Sequence, residues 1–503
     1  MPQPLEHLRS LLGETFDLRT AAAVLEWDQQ VNLPAGGADN RASQLSTLSR
    51  LAHEKFTSDE MGAALQAAGA AAKGLDPDSD DARLIAKVTH DFDKARRVPS
   101  EYVAENSRVT ALAHDAWSKA RPANDFAAFR PHLQEVMRLR RAYAEFFKPY
   151  DHPYDPMLDD FERGLKMPQV KAVFDELRPR QVALVRAITE RGRPVDNGLL
   201  HRDFDVQKQW DFGIEIARAF GYDFDRGRQD KSAHPFTTTF GLGDVRITTR
   251  LYPNLLSSSI CSTMHEVGHA LYEQGSAPEL DRTPLLGGSS LAIHESQSRM
   301  WENLVGRSLP FWKAFFPRLK SLFPEQLADV DLTSFHRAIN KVEPSLIRVE
   351  ADEATYNLHI MLRFELELAL AEDRLAIADL PAAWNDKMRD YLGLTPPNDA
   401  QGVMQDVHWS AGILGYFPTY ALGNLVACQL WEKVNADLPG LTQEIERANF
   451  APLLGWLRTH IHRHGSKFEA TELLERVVGS GLSAGPYLKY LEAKYGEIYG
   501  LSQ

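Results

Sequence analysis

Apolar residues recur three and four positions apart over most of this chain, with charged residues between them. That period belongs to amphipathic helices. The pattern predicts helices over 4–16, 41–56, 57–70, 80–97, 100–120, 126–147, 167–190, 206–220 and 335–343. Ala, Leu, Glu, Arg and Lys, good helix formers, dominate these stretches. Asp76-Pro77-Asp78-Ser79-Asp80 reads as a turn with an aspartate ready to cap the next helix. The clearest interruption is 148–156, where Pro149, Pro153 and Pro156 forbid a continuous helix. Tyr150 and Tyr154 suit a packed crossing inside one fold better than a domain linker. One region leaves the helical period. β-branched residues alternate over 236–240 and 245–250, across Gly241-Leu242-Gly243-Asp244, which predicts a hairpin. Such a strand edge can hold an extended peptide, or the hairpin can be purely stabilising. There is no internal repeat and no low-complexity tract.

Just after the hairpin, in a helix-compatible run over 262–272, stands His265-Glu266-Val267-Gly268-His269. Two histidines four apart lie on one helix face, one turn from each other. As neutral imidazoles they can fill two corners of a tetrahedral zinc site. Glu266, one residue past the first, lies beside the metal and can take a proton from a water brought there. A catalytic site needs a third protein ligand. The metzincin spacing fails, because Tyr272 and Gly275 stand where Gly and His belong. A thermolysin-like spacing would need an acid near Gly288 or Ser289. The next good candidate is Glu295, in a helical run over 291–302 that follows the Gly-rich turn 286–290. Glu273, Glu279 and Asp281 are nearer in sequence but read as a solvated helix end. Cys261, four residues before His265, is a weaker candidate than Glu295.

Composition narrows the function. The chain has 503 residues, 44% of them hydrophobic, enough to bury a substantial core. A net charge of -13 argues against nucleic acid or an anionic membrane as partner. No run of eighteen apolar residues occurs, so no membrane span is expected. The first residues lack the basic and apolar regions of a signal peptide. Two cysteines, Cys261 and Cys428, make no disulfide framework, which suits a reducing cytoplasm.

Six stretches together make the chain resemble the M32 family of metallocarboxypeptidases, the thermostable (Taq-type) carboxypeptidases. They are His234-Pro235-Phe236, Asp244-Val245-Arg246-Ile247-Thr248, the pentapeptide at 265–269, His294-Glu295-Ser296-Gln297, Ile347-Arg348-Val349-Glu350-Ala351-Asp352 and Gly402-Val403-Met404-Gln405-Asp406-Val407-His408-Trp409. They fall in the family's order, and Gly415-Tyr416-Phe417-Pro418-Thr419-Tyr420 follows them. The match is dense from about residue 230 to 425, with no departure at a ligand or base. The N-terminal third matches only loosely, through Trp27-Asp28.

The resemblance implies a mainly helical (all-α) zincin with a small β-hairpin beside the active-site helix and a long substrate cleft. We expect one peptidase unit over 1–503, with a mostly helical N-terminal region over 1–205 and a zinc-binding catalytic region over 206–503. Zinc, replaceable by cobalt, would sit on His265, His269 and Glu295, with Glu266 as base. An oxyanion wants fixed donors in a dry cleft, and His408, Tyr416 and Tyr420 are candidates; the family likeness favours Tyr420. An exopeptidase also needs a cation for the free carboxylate. The family motif points to Arg348, placed here in a helix, although an ion pair with Glu350 or Asp352 is the plain alternative. Arg246 is second choice. Gln405, Asp406, His234 and His294 would orient ligands and substrate. Expected substrates are peptides, cleaved with broad specificity at the C-terminus by a cytoplasmic homodimer. The rivals are an endo-oligopeptidase on a similar scaffold and a non-catalytic peptide-binding protein; an intact Glu266 argues against the latter.

Overall fold

Helix follows helix because the three-four period is seldom broken. The computed structural model describes residues 3–501. Before the sheet come α1 (Gln3–Val31), α2 (Ala38–Phe56), α3 (Asp59–Ala71), α4 (Asp80–Arg97), α5 (Ser100–Ala123), α6 (Phe126–Glu145), the short α7 (Asp155–Asp159), α8 (Met167–Arg191) and α9 (Val206–Phe220). After it come α10 (Leu256–Gln274), α11 (Leu291–Arg299), α12 (Leu309–Leu322), α13 (Leu332–Ile339), α14 (Glu353–Ala371), α15 (Leu380–Leu392) and α16 (Phe417–Asp437). Four more helices lie between Leu441 and Tyr499.

Helix existence follows the predictions; helix ends differ where capping decides them. α1 runs fifteen residues beyond the expected 4–16, and α13 stops at Ile339 instead of reaching 343. The cap of α4 is Ser79, whose hydroxyl accepts from the Ala82 N–H, while Asp76 accepts from the Asp78 N–H inside the preceding turn. Pro344 and the Asp352 cap keep 344–352 out of α14, so Arg348 sits in a single 3-10 turn, Arg348–Glu350, and not in the expected helix.

The predicted hairpin is present as β2 (Thr237–Thr239) and β3 (Val245–Thr249), paired antiparallel with Thr237 opposite Ile247. A third strand, β1 (Gln229–Lys231), joins β3 in parallel, giving the order β1-β3-β2. Three residues are too few to show a strand period, so β1 was not legible. Val245 and Ile247 are buried on β3, which packs on α10. β2 is an edge strand beside that helix.

The described residues form two apolar clusters. The larger holds the body. The smaller joins Leu5, Leu8, Met61, Leu65, Leu84 and Val88 of α1, α3 and α4 with Leu280 and Leu285 from the segment between α10 and α11, so these helices form a cap seated on that segment. Ion pairs tie cap to body, among them Lys94–Asp159 at 2.6 Å and Arg83–Glu472 at 2.7 Å.

At the centre α11 lies between α10 and α16. Contacts pair 265 with 302, 268 with 298 and 269 with 294, so α10 and α11 run antiparallel. Glycine permits the closeness on both sides. A Cβ on Gly268 would stand 2.6 Å from Ser298 Cα, and one on Gly423 would stand 2.5 Å from Glu295 Cγ. Beyond Arg299 the chain continues as a π-helix, Met300–Gly306, where the sequence predicted plain α-helix.

Candidate active site

His265 and His269 project from one face of α10, and α11 delivers Glu295 to them. Glu295 Oε2 lies 3.6 Å from His265 Nε2 and 3.4 Å from His269 Nε2. Ligands about 2.1 Å from a tetrahedral metal stand roughly 3.4 Å apart. One candidate ligand atom from each residue lies within 4.8 Å of the others, so the set fits a metal ion. Its protonation fits too. Burial lowers His269 to about 3, leaving a neutral imidazole. Burial alone would raise Glu295, but Arg299 and the histidines outweigh it and hold the carboxylate below its usual range. Burial would also lower His265, yet Glu295 and Glu302 hold it above its ordinary value. That surplus of carboxylate favours any cation at this point.

Each histidine is backed differently. His265 Nδ1 meets Glu302 Oε2 at 3.0 Å, and Arg299 and Arg307 hold Glu302 in turn. The π segment carries Glu302. His269 Nδ1 meets His294 Nδ1 at 2.6 Å, and His294 Nε2 meets Glu273 Oε1 at 2.6 Å. If His269 uses Nε2 for a metal, the donors run outward in one direction: His269 to His294, and His294 to Glu273. Glu273 is buried, which corrects its reading as a solvated helix end.

Glu266 faces the sheet. The Thr237 hydroxyl donates to Glu266 Oε2 at 2.7 Å and also lies 3.0 Å from the Glu266 carbonyl. Burial raises the Glu266 carboxyl. Strand β2 therefore sets both the rotamer of this group and its dry surroundings.

A second cluster gathers around Arg348. Its Nε and Nη2 donate to Asp406 Oδ1 at 3.0 and 2.9 Å, its Nη1 to the Tyr356 hydroxyl at 3.0 Å, and its backbone N–H to Gln405 Oε1. The partner is thus Asp406, not Glu350 or Asp352. The guanidinium lies over Tyr420, 5.1 Å from the ring centre. Tyr420 touches His408, with Oη 3.4 Å from Nε2, and Tyr416, ring to ring at 5.2 Å. Burial lowers His408 to about 4 and raises Tyr420, so both stay neutral near pH 7. Glu367 pins the loop carrying His408, accepting from Trp409 Nε1, the Tyr154 hydroxyl and the Gly415 N–H. Asp406 also holds Arg363, a fully buried residue of α14.

Four sequence candidates stand apart from His265, His269 and Glu295. Asp406 and Gln405 orient Arg348. Arg246 is paired side-on with Asp244 at 2.8 and 2.7 Å and stacked on Trp27 at 4.3 Å, so it is already engaged. His234 is exposed, and its carbonyl accepts from Ser232; it does not join the cluster. Cys261 is buried and free, without a place among the candidate ligand atoms. Sequence reasoning missed Thr237, Glu302 and Arg363, whose partners are distant in the chain.

A paired-histidine helix, a carboxylate from its antiparallel neighbour and a buried glutamate beside them have the make-up of a metallopeptidase centre. The chain belongs to the M32 metallocarboxypeptidase family: the Carboxypeptidase Taq (M32) metallopeptidase family matches residues 7–495. It is 44% identical over 504 residues to thermostable carboxypeptidase 1 of Thermus thermophilus, covering 98% of this chain and 99% of that one. It is 37% identical to carboxypeptidase 1 of Bacillus subtilis, covering 97% of each chain. Among solved structures, an M32 carboxypeptidase from Deinococcus radiodurans R1 superimposes with a TM-score of 0.96 at 43% identity, covering 99% of this chain and 100% of the other.

Proposed function

We propose that this metallocarboxypeptidase uses zinc on His265, His269 and Glu295, with Glu266 as general base, to release single residues from peptide C-termini. When bound, zinc supplies a Lewis acid for the scissile carbonyl and brings the pKa of water towards neutrality. Cobalt, which offers the same charge, is expected to substitute. Glu266, held by Thr237, takes the proton of the attacking water and passes it to the leaving amine. Its raised proton affinity suits both halves of that transfer. Tyr420 stays protonated and offers a neutral donor to the developing oxyanion, with His408 and Tyr416 packed against it. The free edge of β2 suits backbone pairing with an extended peptide.

The observation that carries the exopeptidase reading is the buried Arg348. Three of its five N–H groups have protein partners. Two remain, and a carboxylate is the group with which arginine pairs best. Broad specificity, a homodimer and a cytoplasmic location complete the proposal, on the family likeness. The test uses one peptide in free-ended and C-terminally amidated form. We expect stepwise loss of single residues from the free peptide and little cleavage of the amide. Internal fragments from both would favour an endo-oligopeptidase.

A further inference from the structure

Around Arg348 the charges do not balance. Asp406 divides its carboxylate between two guanidiniums. Oδ1 takes Arg348, while Oδ2 takes Arg363 Nε at 2.8 Å and Nη2 at 2.6 Å. Among the described residues no second carboxylate lies within ion-pair distance of either arginine. The trio therefore carries one net positive charge in a buried setting. Arg363 is not itself available to a ligand. It is fully buried, donates Nη1 to the His359 carbonyl at 2.7 Å and lies over Trp384 at 4.5 Å. Burial and the nearby Arg348 bring its pKa down to about 10, with Asp406 opposing them, so it remains charged near neutral pH. His359, also fully buried, is held neutral by burial and by the two arginines. It therefore adds no charge.

A carboxylate that fixes an arginine's geometry ordinarily cancels its charge as well. Here the two effects are separated. We infer that Arg363 is a positioning residue that neutralises Asp406, so that Asp406 can hold Arg348 in place while Arg348 keeps its positive charge for the substrate's terminal carboxylate. The inference rests on the proposed end recognition by Arg348 and adds the residue that makes such recognition strong. Without Arg363, Asp406 and Arg348 would form a closed neutral pair. The incoming carboxylate would then meet a guanidinium whose charge is already spent, beside a like-charged Asp406.

The test is a two-by-two set, R363M, D406N and R363M/D406N, assayed with zinc-loaded enzyme on free-ended and amidated forms of one peptide. R363M makes the cluster neutral. KM for the free-ended peptide should rise about tenfold or more, with kcat within about threefold and cleavage of the amide unchanged. R363M/D406N returns the net charge to plus one and should recover most of the lost discrimination between the two peptides. R363K, which keeps the charge, should stay within about threefold of wild type. Should R363M not fold, the double variant replaces a buried pair together, a change proteins often tolerate, and its predicted near-wild-type discrimination still decides. The inference is overturned if R363M depresses cleavage of both peptides alike, which a packing role would do. It is overturned equally if the double variant discriminates no better than R363M, or less well than wild type by more than tenfold where R363M cannot be made. Failure of the underlying reading looks different: wild type would cleave free-ended and amidated peptides equally.

Discussion

The two ends of this site are built on opposite surpluses of charge. At the α10–α11 end, Glu266, Glu273, Glu295 and Glu302 surround His265, His269 and His294, and among the described residues Arg299 and Arg307 offset them. At the α14 end, Arg348 and Arg363 share the single carboxylate of Asp406. Tyr356 touches both, receiving the Arg348 Nη1–H on its hydroxyl and Arg299 over its ring at 4.7 Å. Burying a lone charge is costly, and an ion of the other sign would offset each surplus. On the proposed reading, one end takes a metal cation and the other a peptide's terminal anion. The substrate's scissile carbonyl and its carboxylate would bridge the two.

The comparison breaks most completely if a ligand is removed. His269→Ala should abolish stoichiometric zinc and turnover while circular dichroism still reports a folded helical protein. Full metal content and full activity in that variant would refute the assignment. Next comes the base. Glu266→Gln keeps the shape and the contact with Thr237 but cannot accept a proton, so kcat should fall by about 10²–10⁴ with zinc retained. Loss of metal alongside activity would make Glu266 structural instead. At the other end, Arg348→Ala should lower kcat/KM about 30-fold or more on free-ended peptides. Amidating the substrate should cost the wild type a similar factor, and the two losses should not add, because each removes half of one contact. Full additivity would move the recognition elsewhere. The smallest effect sharpens the metal end. Glu273→Ala acts on His269 only through His294, and zinc affinity, measured against a competing chelator, should weaken about tenfold. The same change at Glu302, which touches its histidine directly, should cost more; equal losses would mean that the intervening imidazole transmits nothing.

These two ends were not equally legible in the sequence. Helical spacing alone placed His265 and His269 together, since four residues is one turn, and it set Glu266 beside them. Glu295 needed a fold in which a second helix returns alongside the first, and the Gly-rich turn before it signalled that. The shell was hidden. Glu302 lies on the π-helical segment two turns beyond Glu295, and nothing in the sequence marked it as the partner of His265, 37 residues away. Glu273 looked like a helix end because His294, which buries it, lies 21 residues on. The arginine end was read more faintly still. Arg348 was found by motif and misplaced in a helix that Pro344 and the Asp352 cap exclude. Arg363 offered no signal, being one arginine in an otherwise ordinary helical stretch, 43 residues from its partner.

The glycines at 268 and 423 have a consequence for how this centre is kept over time. Main chain of α11 touches α10 through one of them, and the Glu295 side chain nestles against α16 through the other. The width of the cation's cage is thereby set by backbone contact, which does not drift when surrounding side chains are exchanged. At these two positions the spacing of the helices depends on a hydrogen where every other residue has a carbon. The candidate metal centre is thus defined by a distance between helices as much as by a set of ligands. A methyl group added at Gly268 would meet the α11 backbone, and one at Gly423 would meet the stem of Glu295, so either forces the neighbouring helix or side chain to move.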